Sequence, residues 1–293
     1  MNAAAKVPPV VETYRHRFVK IDGIRTHYLE AGEGPVVVLL HSGEFGGCAE
    51  LSWEYLIPAL AERYRVIAPD WLGFGQTAKI HDFDGKRARM IAHLARFLEV
   101  MAIDRASFIG NSMGATFLLQ IAAEGHPGFG IDRLVAISGG GWMPENEARK
   151  RLTHYDGSLE GMVGILQSLF EGSVWYNDED YVRRRHALSI APGAWEAVAA
   201  ARFRSPNAPE RKEFGQADTT NYEAIDVPTL LIAGAEDKLR MPGYATEVAN
   251  RIPKGQAAVV TGCGHCPNIE RPEIVGDLLI DFLAAGADQN IAA

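Results

Sequence analysis

Ser112 sits in Gly110-Asn111-Ser112-Met113-Gly114, with a short apolar run before it and a helical pattern after it. A serine with glycine at both second neighbours, between strand and helix, suits a sharp turn that presents its hydroxyl to a substrate. Side chains two residues either side would collide in so tight a turn, which accounts for Gly110 and Gly114. The serine would then be held in a strained conformation, at a helix head that favours negative charge developing nearby. The alternative is a capping serine in a glycine-flanked turn, with no chemistry attached.

A serine hydroxyl is a poor nucleophile at neutral pH without an adjacent base. Where this turn carries a nucleophile, an acid and then a histidine follow it along the chain. Of nine histidines, His265 alone lies beyond a suitable acid at the end of a late strand, in the loop Thr261-Gly262-Cys263-Gly264-His265. The acid is expected at Asp237, in Gly234-Ala235-Glu236-Asp237-Lys238. Glu236 is its local competitor, and Asp226 falls before the strand, at the wrong end. The place after the preceding strand reads Ser138-Gly139-Gly140-Gly141 and offers no acid. His265 would take the Ser112 proton while Asp237 fixes the imidazole tautomer. The oxyanion would be held by the Met113 N–H and one from His41-Ser42-Gly43-Glu44-Phe45-Gly46-Gly47, with Ser42 N–H the expected donor. Each such donor contributes about 3–4 kcal/mol at the transition state. That glycine-bearing loop lacks the spacing of a phosphate cradle.

Cys263-Gly264-His265-Cys266 has the form of a redox CxxC. Redox chemistry needs the first cysteine at a helix N-terminus, where its pKa falls, whereas this segment follows the last strand and precedes Pro267. Two cysteines and one histidine so close together cannot complete a tetrahedral zinc site without distant ligands. No metal or cofactor is expected.

The elements that would carry these residues alternate. Strand patterns cover His16 to Ile21 and Ile24 to Leu29, joined at Asp22-Gly23. Val36 to Leu40 is a continuous apolar run, as in a strand covered on both faces. Helix is expected over 53–63, strand over Arg65 to Pro69, and helix from Lys86 to Met101 with Met90, Ile91, Leu94, Phe97, Leu98 and Met101 on one side. Ala106 to Gly110 is a strand, Ser112 to Glu124 a helix stopped by Gly125 and Pro127, and Leu134 to Ser138 a strand. Strands return at Thr229 to Ala233 and Ala257 to Val260, with helices at Tyr244 to Ile252 and Ile274 to Ala284. Such alternation implies a doubly wound α/β fold with a mostly parallel sheet. Between about Gly141 and Tyr222 strands vanish, and Pro192, Pro206 and Pro209 break a helical stretch rich in Trp, Tyr and Arg. We read residues 141–222 as a helical cap inserted into a core formed by 1–140 and 223–293.

The 293 residues can bury one large core with a modest insertion. With 47% hydrophobic and 23% charged residues, the composition is that of an ordinary globular protein. A net charge of −8 gives no support to nucleic-acid binding. Arg183-Arg184-Arg185 is too short a basic run to reverse that. The opening ten residues lack the apolar core of a signal peptide, and no run approaches the roughly 18 apolar residues of a membrane span. Three cysteines make no disulfide framework. A cytoplasmic enzyme acting on a small molecule, with self-association left open, is the expectation.

The chain resembles the α/β hydrolases over nearly its whole length, and more narrowly the meta-cleavage-product hydrolases, which cut carbon–carbon bonds in aromatic degradation. The resemblance is carried by Gly110 to Gly114, by Val66-Ile67-Ala68-Pro69-Asp70-Trp71-Leu72-Gly73-Phe74-Gly75, by Tyr155 to Met162 and by Val227 to Ile232. It implies an eight-stranded sheet. It also implies a dienoate or vinylogous diketone substrate, first ketonised so that the leaving carbon has an electron sink. The charged end of that substrate would be held by a cap arginine, for which Arg185 occupies the corresponding place, although Arg183 or Arg184 could face inward instead. A guanidinium suits bidentate carboxylate binding. Asn111, Gly43, Trp175 and Cys266 would join it around the substrate. Two departures stand out. The family's glycine-rich oxyanion loop here carries Ser42 and an acidic Glu44, and the tryptophan that usually follows the catalytic histidine is Cys266.

Two other functions use the same residues. A carboxylic-ester or lactone hydrolase would need the triad but not Arg185, because an alkoxide leaves without a carbon sink. A ligand receptor on a hydrolase scaffold could retain an intact triad without turnover. Dehalogenase or epoxide-hydrolase chemistry would need an aspartate where Ser112 stands.

Overall fold

A computed structural model of the chain describes residues 6–125, 128–203, 215 and 217–285. Pro127, Pro206 and Pro209 lie outside the described residues, as do the first five residues. The chain opens with β1 (Arg15–Ile21) and β2 (Ile24–Ala31), an antiparallel hairpin. Asp22 and Gly23 both have positive φ there, the type I′ geometry that matches strand twist. Then come β3 (Val36–Leu40), two short helices α1 (Ala49–Trp53) and α2 (Ile57–Ala61), and β4 (Arg65–Pro69). The single helix expected over 53–63 is thus two. Pro58 at the start of α2 has no N–H to continue a helix from upstream, so the chain turns there instead.

Next are α3 (Lys86–Val100), β5 (Arg105–Asn111), α4 (Met113–Glu124) and β6 (Gly130–Ile137). Helices α5 (Glu147–Thr153), α6 (Leu159–Leu169), α7 (Val174–Asn177), α8 (Glu179–Ser189) and α9 (Ala194–Ala199) follow. The described residues between β6 and β7 contain no strand. The chain closes with β7 (Thr229–Gly234), α10 (Tyr244–Arg251), β8 (Gly255–Val260), α11 (Pro267–Glu270) and α12 (Pro272–Ala284).

The eight strands form one sheet in the order β1-β2-β4-β3-β5-β6-β7-β8, parallel except where β2 pairs with β1 and β4. Successive strand residues point to opposite faces, and the burial obeys that period. Val38, Leu40, Ile67 and Phe108 join one buried layer, with Leu94 of α3 and Leu118 of α4. Val37, Leu39, Val66 and Ile109 join the other, with Trp53, Leu60 and Leu279 from α1, α2 and α12. The apolar run at β3 is therefore continuous because both of its faces are covered. Of the side expected on α3, Met90, Leu94, Phe97 and Leu98 are buried, while Ile91 and Met101 are only partly so. Chain order reverses at β3, which has β4 on one side and β5 on the other. In open α/β sheets the crevice beyond the strand ends at such a point receives ligands.

Candidate active site

Ser112 occupies the turn between β5 and α4 with φ 52° and ψ −107°, outside the ordinary regions for an L-residue. That strain is held by crowding. A methyl group on Gly110 would lie 2.4 Å from Ala115 N, and one on Gly114 would lie 2.3 Å from Leu40 O. Gly110 thus makes room for the start of α4, as expected. Gly114 instead lets α4 press against the end of β3.

The loop after β8 brings His265 over the same edge. His265 Nε2 is 2.7 Å from Ser112 Oγ, and its Nδ1 is 2.7 Å from Asp237 Oδ2. The His265 and Asp237 side chains are almost sealed from solvent. Burial pushes the Asp237 carboxyl up, but the His265 charge and hydrogen bond, the Leu239 N–H and Arg240 together hold it below its ordinary value. The second Asp237 oxygen accepts from Leu239 N at 2.8 Å. Glu236, the competing acid, accepts from Cys263 N instead and steadies the histidine loop. The position after β6 that lacked an acid holds a cation: Arg240 donates to Ser138 O at 3.0 Å and Gly140 O at 2.7 Å.

Met113 begins α4, where the first backbone N–H groups have no partner within the helix. Gly43 faces it so closely that a methyl group there would meet Met113 Sδ at 2.5 Å. A cavity of about 270 Å³ opens above Ser112, lined among others by Gly43, Glu44, Met113, Phe117 and Leu169. A larger groove of about 540 Å³ runs between α5 and α6, and no triad residue lines it.

The three arginines of α8 separate cleanly. Arg183 is exposed and faces Glu179, while Arg184 pairs with Glu54 at 2.7 Å. Arg185 alone points inward, with its side chain 1% exposed. It donates to Glu44 Oε1 at 2.8 Å and to Tyr181 Oη at 3.1 Å, and lies over the rings of Phe170 and Tyr181. Burial alone would lower its pKa, but the neighbouring Tyr181 and Glu44 raise it above the ordinary value. Glu44 in turn is pushed up by burial and pulled below its usual range by Arg185 and a hydrogen bond from the Ser42 side chain. The two departures in the oxyanion loop, Ser42 and Glu44, are therefore one unit built around Arg185.

The residues expected around the substrate fall into two groups. Asn111, Trp175, Cys266 and Arg185 are buried and do not line the cavity that holds Ser112. Asn111 Nδ2 donates to Ile137 O and His265 O, tying β5 to the histidine loop. Trp175 stacks on Phe170 beneath Arg185. Cys266 packs 4.0 Å from Asn111 Oδ1, and burial drives its thiol well above the ordinary value. Gly43 does line the cavity. The sequence reading missed Arg149, Arg202 and Arg240, which also line it. Arg240, three residues beyond Asp237, was the available signal. Cys263 is pushed up to about 12 by burial and nearby acids, against the depressed value a redox cysteine needs. Among the described residues no group of three or more His, Cys, Asp or Glu could hold a metal ion, and no helix is long and apolar enough to cross a membrane.

Comparison with known proteins follows the same lines. The profile of the Alpha/beta hydrolase family matches residues 37–278. The chain is 32% identical, over its whole length and 99% of the relative, to the 2-hydroxy-6-oxo-6-(2'-aminophenyl)hexa-2,4-dienoic acid hydrolase of Metapseudomonas resinovorans. It is 31% identical, over 97% of each chain, to the 2-hydroxymuconate semialdehyde hydrolase of Pseudomonas sp. (strain CF600). Among solved structures, the meta-cleavage product hydrolase of Pseudomonas fluorescens IP01 superposes with a TM-score of 0.81 at 26% identity, covering 92% of this chain and 97% of its own. The match of fold and of sequence along the full length has one meaning: the chain belongs to the alpha/beta hydrolase family.

Proposed function

We propose that the protein hydrolyses a carbon–carbon bond in a ring-cleavage-type dienoate, with Ser112 as nucleophile, His265 as base and Asp237 as its orienting acid. The end-to-end similarity to a dienoic acid hydrolase carries the choice of substrate class. The two 2.7 Å hydrogen bonds that join Ser112, His265 and Asp237 support the choice of residues.

On this reading His265 accepts the Ser112 proton as Oγ adds to the substrate ketone. The Met113 and Ser42 N–H groups receive the oxyanion. The carbon–carbon bond then breaks, its electron pair passing into the ketonised dienoate. The leaving carbon takes the proton held on His265, and water, deprotonated by the same imidazole, then releases the acid and returns Ser112 to its hydroxyl. Residues 141–222 act as a cap over a core of 1–140 and 223–293. The substrate is a small molecule, and the protein works in the cytoplasm. Incubation with a panel of yellow dienoates tests the proposal: bleaching that Ser112→Ala abolishes supports it, and a stable visible absorbance overturns it.

A second reading, ester or lactone hydrolysis by the same residues, is favoured by one observation. Glu44 cancels the charge of the arginine that a dienoate carboxylate would seek. Rapid turnover of aryl esters with no bleaching of dienoates would select it.

A further inference from the structure

The loop that carries His265 is held through three consecutive backbone N–H groups, each bound to a different element. Cys263 N–H donates to Glu236, beyond β7, at 3.0 Å. Gly264 N–H donates to Glu270 Oε2 on α11 at 2.6 Å, and His265 N–H to Leu169 O at the end of α6 at 2.7 Å. The last two anchors also meet each other. The Glu270 carboxylate that holds Gly264 accepts from Gly172 N at 2.8 Å and from Glu171 N at 3.1 Å, both in the turn between α6 and α7. One side chain therefore joins the loop of His265 to the turn that follows Leu169, and Leu169 itself lines the cavity above Ser112.

Glu270 is 6% exposed, so its charge depends on these partners. Burial pushes its carboxyl above the ordinary value, opposed by the N–H groups of Gly172, Gly264 and Glu171 and by the Arg271 charge. A carboxylate accepts on both oxygens, whereas an amide of the same shape accepts on one and donates at the other end. The two segments also approach closely. A methyl group on Gly264 would lie 2.7 Å from Leu169 O and 3.1 Å from Glu171 N. The loop of Asp237 reaches the same turn: Lys238 donates to Gln167 O at 3.2 Å and Phe170 O at 3.3 Å, and pairs with Glu171 at 3.2 Å.

We propose that Glu270 is a positioning residue of the reaction. By holding Gly264 N–H on one oxygen and Gly172 N–H on the other, it fixes the His265 imidazole against Ser112 and in register with the Leu169 wall. It acts through the loop alone. A misplacement of about 1 Å at a reacting contact can cost about 100-fold in rate. The inference rests on the proposed roles of Ser112 and His265, and not on which bond is cut.

Glu270→Gln opens the joint at one end with little change of shape, because its amide nitrogen must face a backbone N–H on one side. The saturating rate of fluorophosphonate labelling at Ser112 should fall about 10- to 100-fold, while the probe concentration giving half that rate barely moves. A purely structural residue would lower the urea midpoint and leave the labelling rate of the folded protein where it was, which overturns the proposal. So would a loss carried by the half-saturating concentration alone, which belongs to a cavity wall and not to the base. Wild-type labelling that survives Ser112→Ala would overturn the proposed nucleophile together with this inference. Ser112-dependent labelling that Glu270→Gln leaves intact would remove the inference alone.

Should Glu270→Gln fail to fold, amide hydrogen exchange in the wild-type protein decides the matter. The Gly172 and Gly264 N–H groups, bound to one carboxylate, should be protected to a similar degree and lose protection together in sub-denaturing urea. A protected Gly264 beside a freely exchanging Gly172 overturns the joint.

Discussion

The Glu44 carboxylate lies 2.8 Å from the Arg185 guanidinium, and the two side chains are 2% and 1% exposed. One comes from the loop after β3 and the other from α8, so the ion pair bolts α8 to the sheet edge. Removing one partner of such a pair strands a buried charge, at a cost of about 3–5 kcal/mol. Glu44→Ala should therefore lose that much stability in urea unfolding. A double variant, Glu44→Met with Arg185→Met, should recover most of it, because apolar replacement of a whole buried pair is often neutral. A double variant as unstable as the single one would show that the pair is not the source of the loss.

The hydrogen-bonded chain from Ser112 through His265 to Asp237 predicts a graded loss of activity. Ser112→Ala should abolish fluorophosphonate labelling, and it or His265→Ala should lower kcat on the order of 10⁶-fold. Asp237→Asn keeps the geometry but presents the wrong tautomer, a loss of about 10⁴-fold. Glu236 holds Cys263 N and not the imidazole, so Glu236→Gln should fall far short of that. Equal losses at Glu236 and Asp237 would mean that the acid has been assigned to the wrong neighbour.

The reach of the sequence followed the range of the interaction. Ser112 and His265 sit in turns whose glycines are adjacent in the chain, so their geometry was legible locally. The Arg183-Arg184-Arg185 run gave three candidates and no means of choosing. Only packing against Glu44, 141 residues away, singles out Arg185. Asn111 and Cys266 looked like substrate contacts because they flank reacting residues. The structure turns them toward each other, since Asn111 can satisfy its amide on Ile137 O and His265 O. The break between α1 and α2 could have been read from Pro58, whose missing N–H ends any helix arriving from upstream.

Acid should destabilise the fold in a definite window. Burial pushes Asp70 up, but the His27 hydrogen bond, the His41 and His27 charges and the Ala49 N–H hold it below its ordinary value. Asp237 and Glu44 end in the same direction. A carboxyl whose folded pKa is depressed contributes stability above its unfolded pKa, about 4, and loses that contribution as pH falls through the folded value. Tm should therefore be insensitive to these groups above about pH 5 and fall progressively below about pH 4. A Tm that rises on acidification would contradict all three assignments.

Gly114 offers a test of the turn itself. Its missing Cβ leaves room for Leu40 O, which a methyl group would approach to 2.3 Å, and a backbone carbonyl at the end of β3 cannot rotate away. Gly114→Ala should cost about 1–3 kcal/mol, in the range of overpacked cores. Because the same shift moves Met113 N–H away from the loop at Gly43, labelling of Ser112 should slow more than stability falls. Unchanged labelling would separate the turn from the oxyanion site.

The thiols close the question raised by Cys263-Gly264-His265-Cys266. All three cysteines are free and buried. Cys263 is pushed up to about 12, and burial drives Cys48 and Cys266 well above the ordinary thiol value too. The thiolate is the reactive form, so at pH 8 almost none is present, and none is open to a reagent. The folded protein should therefore resist iodoacetamide and retain full activity, with three thiols titrating only after unfolding in guanidinium. Alkylation of native Cys266 with loss of activity would show that the His265 loop opens in solution far more than its hydrogen bonds to Leu169 O, Asp237 and Ser112 allow.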